Sequence, residues 1–245
     1  MIEYKETINT FSLHNDLLKD VDFYHFMNHG YSPYSKLVEN YKLRYWASLY
    51  LKILDNIETK NKTLLDVGCG RGGGVALYKK FYNLKEINAC DITDKNIDYC
   101  KQKHKEIKFK VCNAENLTYR DNQFDIVTNV ESMCYYKNKK QFLLEVKRVL
   151  KKDGIFICTD CNKEVLEGFY KNRSLFSFFE VEDILDNVNE ACYKTLEDLK
   201  KWPDSKAKDL TKNILEGKIK KYVTNQDCFN IYTCKFYSPV SSIQL

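Results

Sequence analysis

Between Thr63 and Thr159 the chain alternates short apolar runs with segments of helical period. The runs are Thr63–Val67, Glu86–Asp91, Ile107–Asn113, Phe124–Asn129 and Gly154–Thr159. The intervening segments Gly73–Tyr82, Thr93–His104 and Lys139–Leu150 carry apolar residues at helical spacing. Strand and helix in strict alternation predict a parallel sheet covered by helices on both faces. A ligand site is then expected beyond the carboxyl ends of the strands. The first sixty residues read as helical, over Asp20–Met27 and Leu37–Leu54, with a Gly- and Pro-marked loop at Asn28–Pro33 between them. In the tail, Ser177–Tyr193 and Asp204–Glu216 read as helices separated by Pro203. Ile219–Val223 and Phe229–Phe236 read as antiparallel strands joined through Thr224–Cys228. The expected division is a helical cap over residues 1–60 and a core over 61–245, with a helical insertion at about 165–217.

Composition narrows the function classes. With 245 residues, 44% hydrophobic and 14% aromatic, the chain buries a large core without needing disulfides or a metal. The net charge of +5 is spread along the chain, and no basic stripe of the kind that binds nucleic acid stands out. Met1–Thr10 carries Glu3, Lys5 and Glu6 and no apolar run, so no secretory leader is expected. No membrane span is expected either, since no apolar stretch nears ~18 residues. A cytoplasmic location follows, with the ten Cys as free thiols. Cys158 and Cys161 have the CxxC spacing, but no second ligand pair completes a zinc set. No metal site is expected.

The densest motif is Leu64-Leu65-Asp66-Val67-Gly68-Cys69-Gly70-Arg71-Gly72-Gly73-Gly74. An apolar strand ends in an acid, and glycines then turn the chain into a helix, where backbone can approach a ligand closely. Gly68, Gly70 and Gly73 also satisfy the G-x-G-x-x-G spacing of a dinucleotide site. Asp66 argues against that reading: a carboxylate there repels a pyrophosphate and suits a cationic ligand.

These residues resemble the first motif of the class I S-adenosylmethionine-dependent methyltransferases, with Gly68, Gly70 and Gly72 filling the family's G-x-G-x-G. Four further segments agree in order, from Asp91-Ile92 through Cys112-Asn113-Ala114-Glu115-Asn116-Leu117 and Phe124-Asp125-Ile126-Val127 to Arg148-Val149-Leu150-Lys151. The resemblance implies a doubly wound, mostly parallel, seven-stranded Rossmann-like α/β sheet. It implies S-adenosyl-L-methionine as cofactor and S-adenosyl-L-homocysteine as product. Asp91 would accept the ribose hydroxyls, or alternatively cap the following helix. Ile92 would pack on the adenine, and Asn113 and Ala114 would read its edge. Asp66, Gly68, Gly70, Gly72 and Asn129 would complete the cofactor set.

Phe26-Met27-Asn28-His29-Gly30-Tyr31 and Val130-Glu131-Ser132-Met133-Cys134-Tyr135 resemble segments of the phthiotriolone, sterol and tocopherol methyltransferase-like group. In that group the Gly-Tyr loop covers the cofactor, so Tyr31 would meet its carboxylate; Tyr24 could assist, but reads rather as a core-facing ring on an amphipathic helix. Cys134 stands near where those relatives often have His. The base candidates are His29 in the covering loop and, second to a role in shaping the floor of the site or contacting the cofactor, Glu131 at the end of the fourth strand. The expected partner is a small apolar or aromatic acceptor, methylated on oxygen. Carbon or nitrogen methylation of a lipid or alkaloid-like molecule, and a cofactor-binding protein without activity, are the alternatives. A monomer or homodimer is expected.

Overall fold

The computed structural model describes residues 4–18, 25–218 and 228–237. Helix α1 (Lys5–Leu18) and helix α2 (Arg44–Lys52) precede β1 (Thr63–Val67), α3 (Gly73–Phe81), β2 (Glu86–Asp91), α4 (Asp94–Lys103) and β3 (Lys108–Val111). Then come β4 (Phe124–Val130), α5 (Lys139–Val149), β5 (Leu150–Asp160), α6 (Lys163–Lys171), β6 (Phe176–Asp183), α7 (Leu185–Leu199), α8 (Lys206–Lys218) and β7 (Asn230–Phe236). The seven strands form one sheet in the order β3-β2-β1-β4-β5-β7-β6. The first five are parallel, and β7 runs antiparallel to both neighbours.

Alternation along the central strands sends side chains to two cores. Leu64, Ala89, Ile126 and Ile157 face α2, α3 and α7, while Leu65, Cys90, Val127 and Phe156 face α5 and α6. Each strand is thus apolar on both faces, as a sheet covered on both sides requires. Asn138 caps α5 by accepting from the Gln141 N–H, and Asn162 caps α6 from the Glu164 N–H.

Gly73 and Gly74 in the glycine-rich turn serve packing. A Cβ on Gly73 would lie 2.6 Å from the His25 carbonyl oxygen, and one on Gly74 would lie 2.3 Å from the Tyr50 ring. These two positions let residues 25–29 and α2 press onto α3. Tyr50 is buried and its ring would have to shift towards the cavity it borders, so Gly74→Ala should cost ~2–3 kcal/mol. That corresponds to a melting point lower by roughly 5–10 °C for a chain of this size. Calorimetry checks it, and an unchanged melting point would contradict this packing.

Three expectations are corrected. Residues 25–27 have no regular structure, and 20–24 lie outside the described residues. Phe176–Asp183 is a strand, where a helix from Ser177 was expected. The reason is a register shift between Phe176 and Phe178, which interrupts the period-two pattern, together with three acids in the run that mimic a helix start. β7 therefore pairs with β6 and β5, and β6 divides the insertion expected to be wholly helical. The strand expected at Ile219–Val223 lies outside the described residues, as do Tyr24 and the segment 224–227.

Candidate active site

A cavity of about 330 Å³ opens at the carboxyl ends of the parallel strands. Val67 to Arg71 form its floor, Asp91, Ile92, Cys112, Asn113 and Ala114 one wall, and Val130, Glu131, Ser132, Cys134, Tyr135 and Cys161 another. Tyr4, Thr7 and Phe11 of the α1 region close the top, and His25, Met27 and His29 close the side. Phe11 meets Tyr135 edge to face at 5.1 Å.

The floor is backbone. Gly68 and Gly70 have φ of 76° and 53°, which only glycine adopts without strain. A Cβ on Gly68 would fall 2.1 Å from Ser132 Oγ. Asp91 ties the turn together: Oδ2 accepts the Gly70 N–H at 2.9 Å, and Oδ1 accepts the Thr93 N–H at 2.8 Å. Asp91 lines the cavity, and its bond to Thr93 falls on the residue ahead of α4, whose start has no side-chain cap. Burial pushes its carboxyl above the usual range. Asn113 Oδ1 accepts the Glu115 N–H at 2.9 Å, which holds the turn presenting Ala114.

Alternation explains the side wall. Along residues 25–29 the odd positions His25, Met27 and His29 face the cavity, while Phe26 and Asn28 are buried on the other side. Asn28 Nδ2 donates to the Trp46 carbonyl at 2.9 Å. Ser32 and Asn187 exchange two hydrogen bonds, which anchor the loop on α7. His29 and Glu131 then meet. The His29 N–H donates to Glu131 Oε1 at 2.7 Å, and His29 Nδ1 contacts Oε2. Both residues are nearly buried, and Glu131 sits at a φ of 48°. A left-handed glutamate is uncommon, and here it turns its carboxylate back onto the loop.

Four of the expected cofactor residues are absent from the cavity wall. Asp66 points into the protein: Oδ1 accepts from Thr128 Oγ1 at 2.7 Å. Its contrast with a pyrophosphate therefore loses its basis, because the carboxylate faces a neighbouring strand and not a ligand. Gly72, at a φ of 77°, caps α3 and packs near Cys100. Asn129 spends its amide within the protein: Nδ2 donates to the Val67 carbonyl and the Tyr136 hydroxyl, while Oδ1 accepts the Met133 N–H. Tyr31 lies beside Lys52 and Glu182, because Gly30 at φ 91° breaks the alternation just before it. The CxxC cysteines also part company. Cys158 Sγ contacts Asn129 Oδ1, whereas Cys161 lies beside Cys134. The backbone N–H groups of Cys134 and Cys161 share the Asp160 carboxylate, at 3.0 and 2.8 Å. Among the described residues, no group of His, Cys, Asp and Glu has a metal-holding arrangement, and no helix is long and apolar enough to cross a membrane.

Burial, partly offset by the Thr128 hydrogen bond, pushes the Asp66 carboxyl from 3.8 up to about 7. A raised folded-state pKa means that the folded chain holds its proton more tightly than the unfolded one. Stability is therefore undiminished below pH ~4 and falls as pH rises towards about 7. Asp66→Asn should accordingly gain stability that grows with pH, reaching ~2–4 kcal/mol by pH 8. Urea midpoints at pH 5 and pH 8 measure it; a gain independent of pH would refute burial as the cause.

Several cavity residues escaped sequence reasoning. Arg71 is 1% exposed and stacks 3.8 Å over the Tyr99 ring; its signal was a lone cation inside the glycine loop. The Ser132 and Tyr136 hydroxyls lie 2.9 Å apart on the wall above Gly68. Tyr4, Thr7 and Phe11 left no signal, since their helix reaches the cavity only by folding back.

The chemistry of these groups fits a nucleoside carrying an amino acid. A glycine floor, an aspartate facing the cavity, apolar flanks at Ile92 and Ala114, and a buried guanidinium suit, in turn, a close approach, a diol, an aromatic base and a carboxylate. Residues 65–158 match the family model described as a methyltransferase domain. The chain is 34% identical over 150 residues to a fatty-acid O-methyltransferase of Mycolicibacterium smegmatis, covering 58% of this chain and 54% of that one. It is 33% identical over 115 residues to a phthiotriol/phenolphthiotriol dimycocerosates methyltransferase of Mycobacterium tuberculosis, covering 46% and 43%. The chain spans about half the length of these curated relatives. Among solved structures it resembles the [4+2]-cyclase SpnF, with a TM-score of 0.72, 17% identity and coverage of 95% and 96%. It also resembles geranyl diphosphate C-methyltransferase from Streptomyces coelicolor, with a TM-score of 0.70, 14% identity and coverage of 96% and 98%. The match to a methyltransferase domain spans β1 to β5, and the sheet as a whole has the Rossmann-like fold of these solved structures. A cyclase among the neighbours illustrates that this fold alone does not specify the reaction.

Proposed function

We propose that this chain is an S-adenosylmethionine-dependent methyltransferase that methylates a hydroxyl of a small apolar or aromatic acceptor, with His29 as general base. The observation that carries it is the His29–Glu131 pair on the wall of the glycine-loop cavity. S-adenosylmethionine, when bound, supplies a methyl group already activated on a sulfonium. Gly68 and Gly70 would give it a floor, Asp91 would accept its ribose hydroxyls, Ile92 and Ala114 would flank its adenine, and Arg71 would pair with its carboxylate. Glu131 accepts from Nδ1–H and so sets the tautomer in which His29 Nε2 takes a proton. As the acceptor oxygen takes the methyl group that the cofactor would supply, its hydroxyl proton would pass to His29 Nε2. Tyr4, Phe11 and Tyr135 cover the reacting groups and exclude water. Further support comes from the curated relatives, among them one named as a fatty-acid O-methyltransferase and one as a phthiotriol/phenolphthiotriol dimycocerosates methyltransferase.

Thermal melting with S-adenosylhomocysteine and with NADH tests the cofactor. At a hundredfold excess over Kd the former should stabilise the fold by ~2.7 kcal/mol, roughly 5–10 °C here. A shift with NADH alone would overturn the reading. Transfer of a labelled methyl group to metabolite extracts of the source organism, followed by mass spectrometry, tests the reaction.

A further inference from the structure

Three side chains above Gly68 form a line of hydrogen bonds that the proton transfer to His29 does not use. Asn129 is its root. Its Oδ1 accepts the Met133 N–H at 3.1 Å, which fixes the orientation of the amide and leaves both hydrogens on Nδ2. One goes to the Val67 carbonyl at 2.7 Å, the other to the Tyr136 hydroxyl at 2.9 Å. Tyr136 and Ser132 then share a single bond of 2.9 Å between two hydroxyls. Burial pushes the Tyr136 phenol well above its ordinary range, so it keeps its hydrogen at neutral pH. The pair thus holds two hydrogens and spends one between its members. Tyr136 already accepts from Asn129, and a phenol is a stronger donor than an alcohol. The favoured direction therefore runs from Asn129 through Tyr136 to Ser132. The Ser132 hydrogen is the one left over. Both residues line the cavity, and Ser132 Oγ stands 2.1 Å from where a Cβ on Gly68 would be, directly over the floor.

We propose that Ser132 donates a hydrogen bond to the nucleoside half of the bound cofactor, with Tyr136 and Asn129 as positioning residues behind it. The inference rests on reading the cavity as a cofactor site and deepens that reading by adding a donor to it. The floor itself supplies none at three positions: the Gly68 and Cys69 N–H groups both donate to the Cys90 carbonyl, at 2.8 and 3.0 Å, and the Gly70 N–H donates to Asp91. Asp91 only accepts when ionised, so it meets the hydroxyls of a ribose and leaves the ring oxygen and the base nitrogens unserved. A hydroxyl hydrogen over Gly68 has the complementary sign. Placement selects the nucleoside half. The bonds to Cys90 join the floor beneath Ser132 to the end of β2, beside Asp91 and Ile92, and Asp91 lies near enough to Tyr136 to push its phenol further up. Arg71, which the reading above gives to the amino-acid carboxylate, lies three residues beyond Gly68 along the loop.

The test is calorimetric titration of the full chain with S-adenosylhomocysteine and with 5′-methylthioadenosine, which keeps the nucleoside and lacks the amino-acid arm. Ser132→Ala should weaken both by the same factor, at least about fivefold. Tyr136→Phe should weaken both by at least about threefold when Ser132 is present, and by less than about twofold in the Ser132→Ala background. A merely structural role of the phenol would weaken binding alike in the two backgrounds. Melting of the unliganded variants reports folding separately, and Ser132→Ala decides alone where Tyr136→Phe does not fold. Wild-type affinities in Ser132→Ala would overturn the proposal. So would a loss confined to S-adenosylhomocysteine, or equal losses from Tyr136→Phe in the two backgrounds. A wild type that binds neither ligand would overturn the cofactor reading itself, and this inference with it.

Discussion

His29→Ala is expected to lower turnover on the physiological acceptor by ~10²–10⁴-fold, the usual contribution of a positioned general base. Cofactor affinity should stay within about threefold, because the glycine floor is held by its own bonds to Asp91 and Cys90. Glu131→Gln should produce a large part of the same loss. Its amide has one acceptor oxygen for two donors, the His29 N–H and Nδ1–H, so either the loop or the imidazole is left facing an NH2 group. Steady-state kinetics with labelled cofactor measure both losses. Unaltered turnover in His29→Ala would show that the acceptor arrives already deprotonated or that another group takes the proton.

Asp91→Asn is expected to weaken S-adenosylhomocysteine binding by thirtyfold or more, ~2 kcal/mol. Two losses fall on one residue. The ribose hydroxyls lose a charged acceptor, and such charge-assisted bonds are roughly twice as strong as neutral ones. The turn also suffers, because Asp91 now accepts both the Gly70 and the Thr93 N–H groups, and an amide accepts with only one of its two terminal atoms. Calorimetric titration gives the affinity. Circular dichroism and melting report separately whether the sheet survives, as it should, since burial already disfavours the ionised form of Asp91. Affinity within threefold of wild type would remove Asp91 from the cofactor site.

Particular residues show where legibility ended. β1 and β2 follow their apolar runs to the residue, because a buried parallel strand needs unbroken apolar sequence and a turn at its end. The helix expected from Ser177 failed because β6 is an edge strand. Only Phe176 of that strand is fully buried, and a bulge removes the alternation that would have revealed it. Tyr31 failed for a backbone reason, the positive φ of Gly30, which reverses the side on which the next residue falls.

The amino-acid sequence by itself determined the alternation of strands and helices, the glycine turn and the acid closing the second strand. All of these are local: they depend on period, on a missing Cβ and on the chain direction at the end of a strand. Only the tertiary structure decided that Asp66 turns inward to Thr128 while Asp91 faces the cavity. Only it brought His29 onto Glu131 from 102 positions away, and folded α1 over the opening. Those outcomes depend on which face of the sheet each neighbouring element covers and on which polar partners remain within reach after packing, and no local pattern in the chain carries that information.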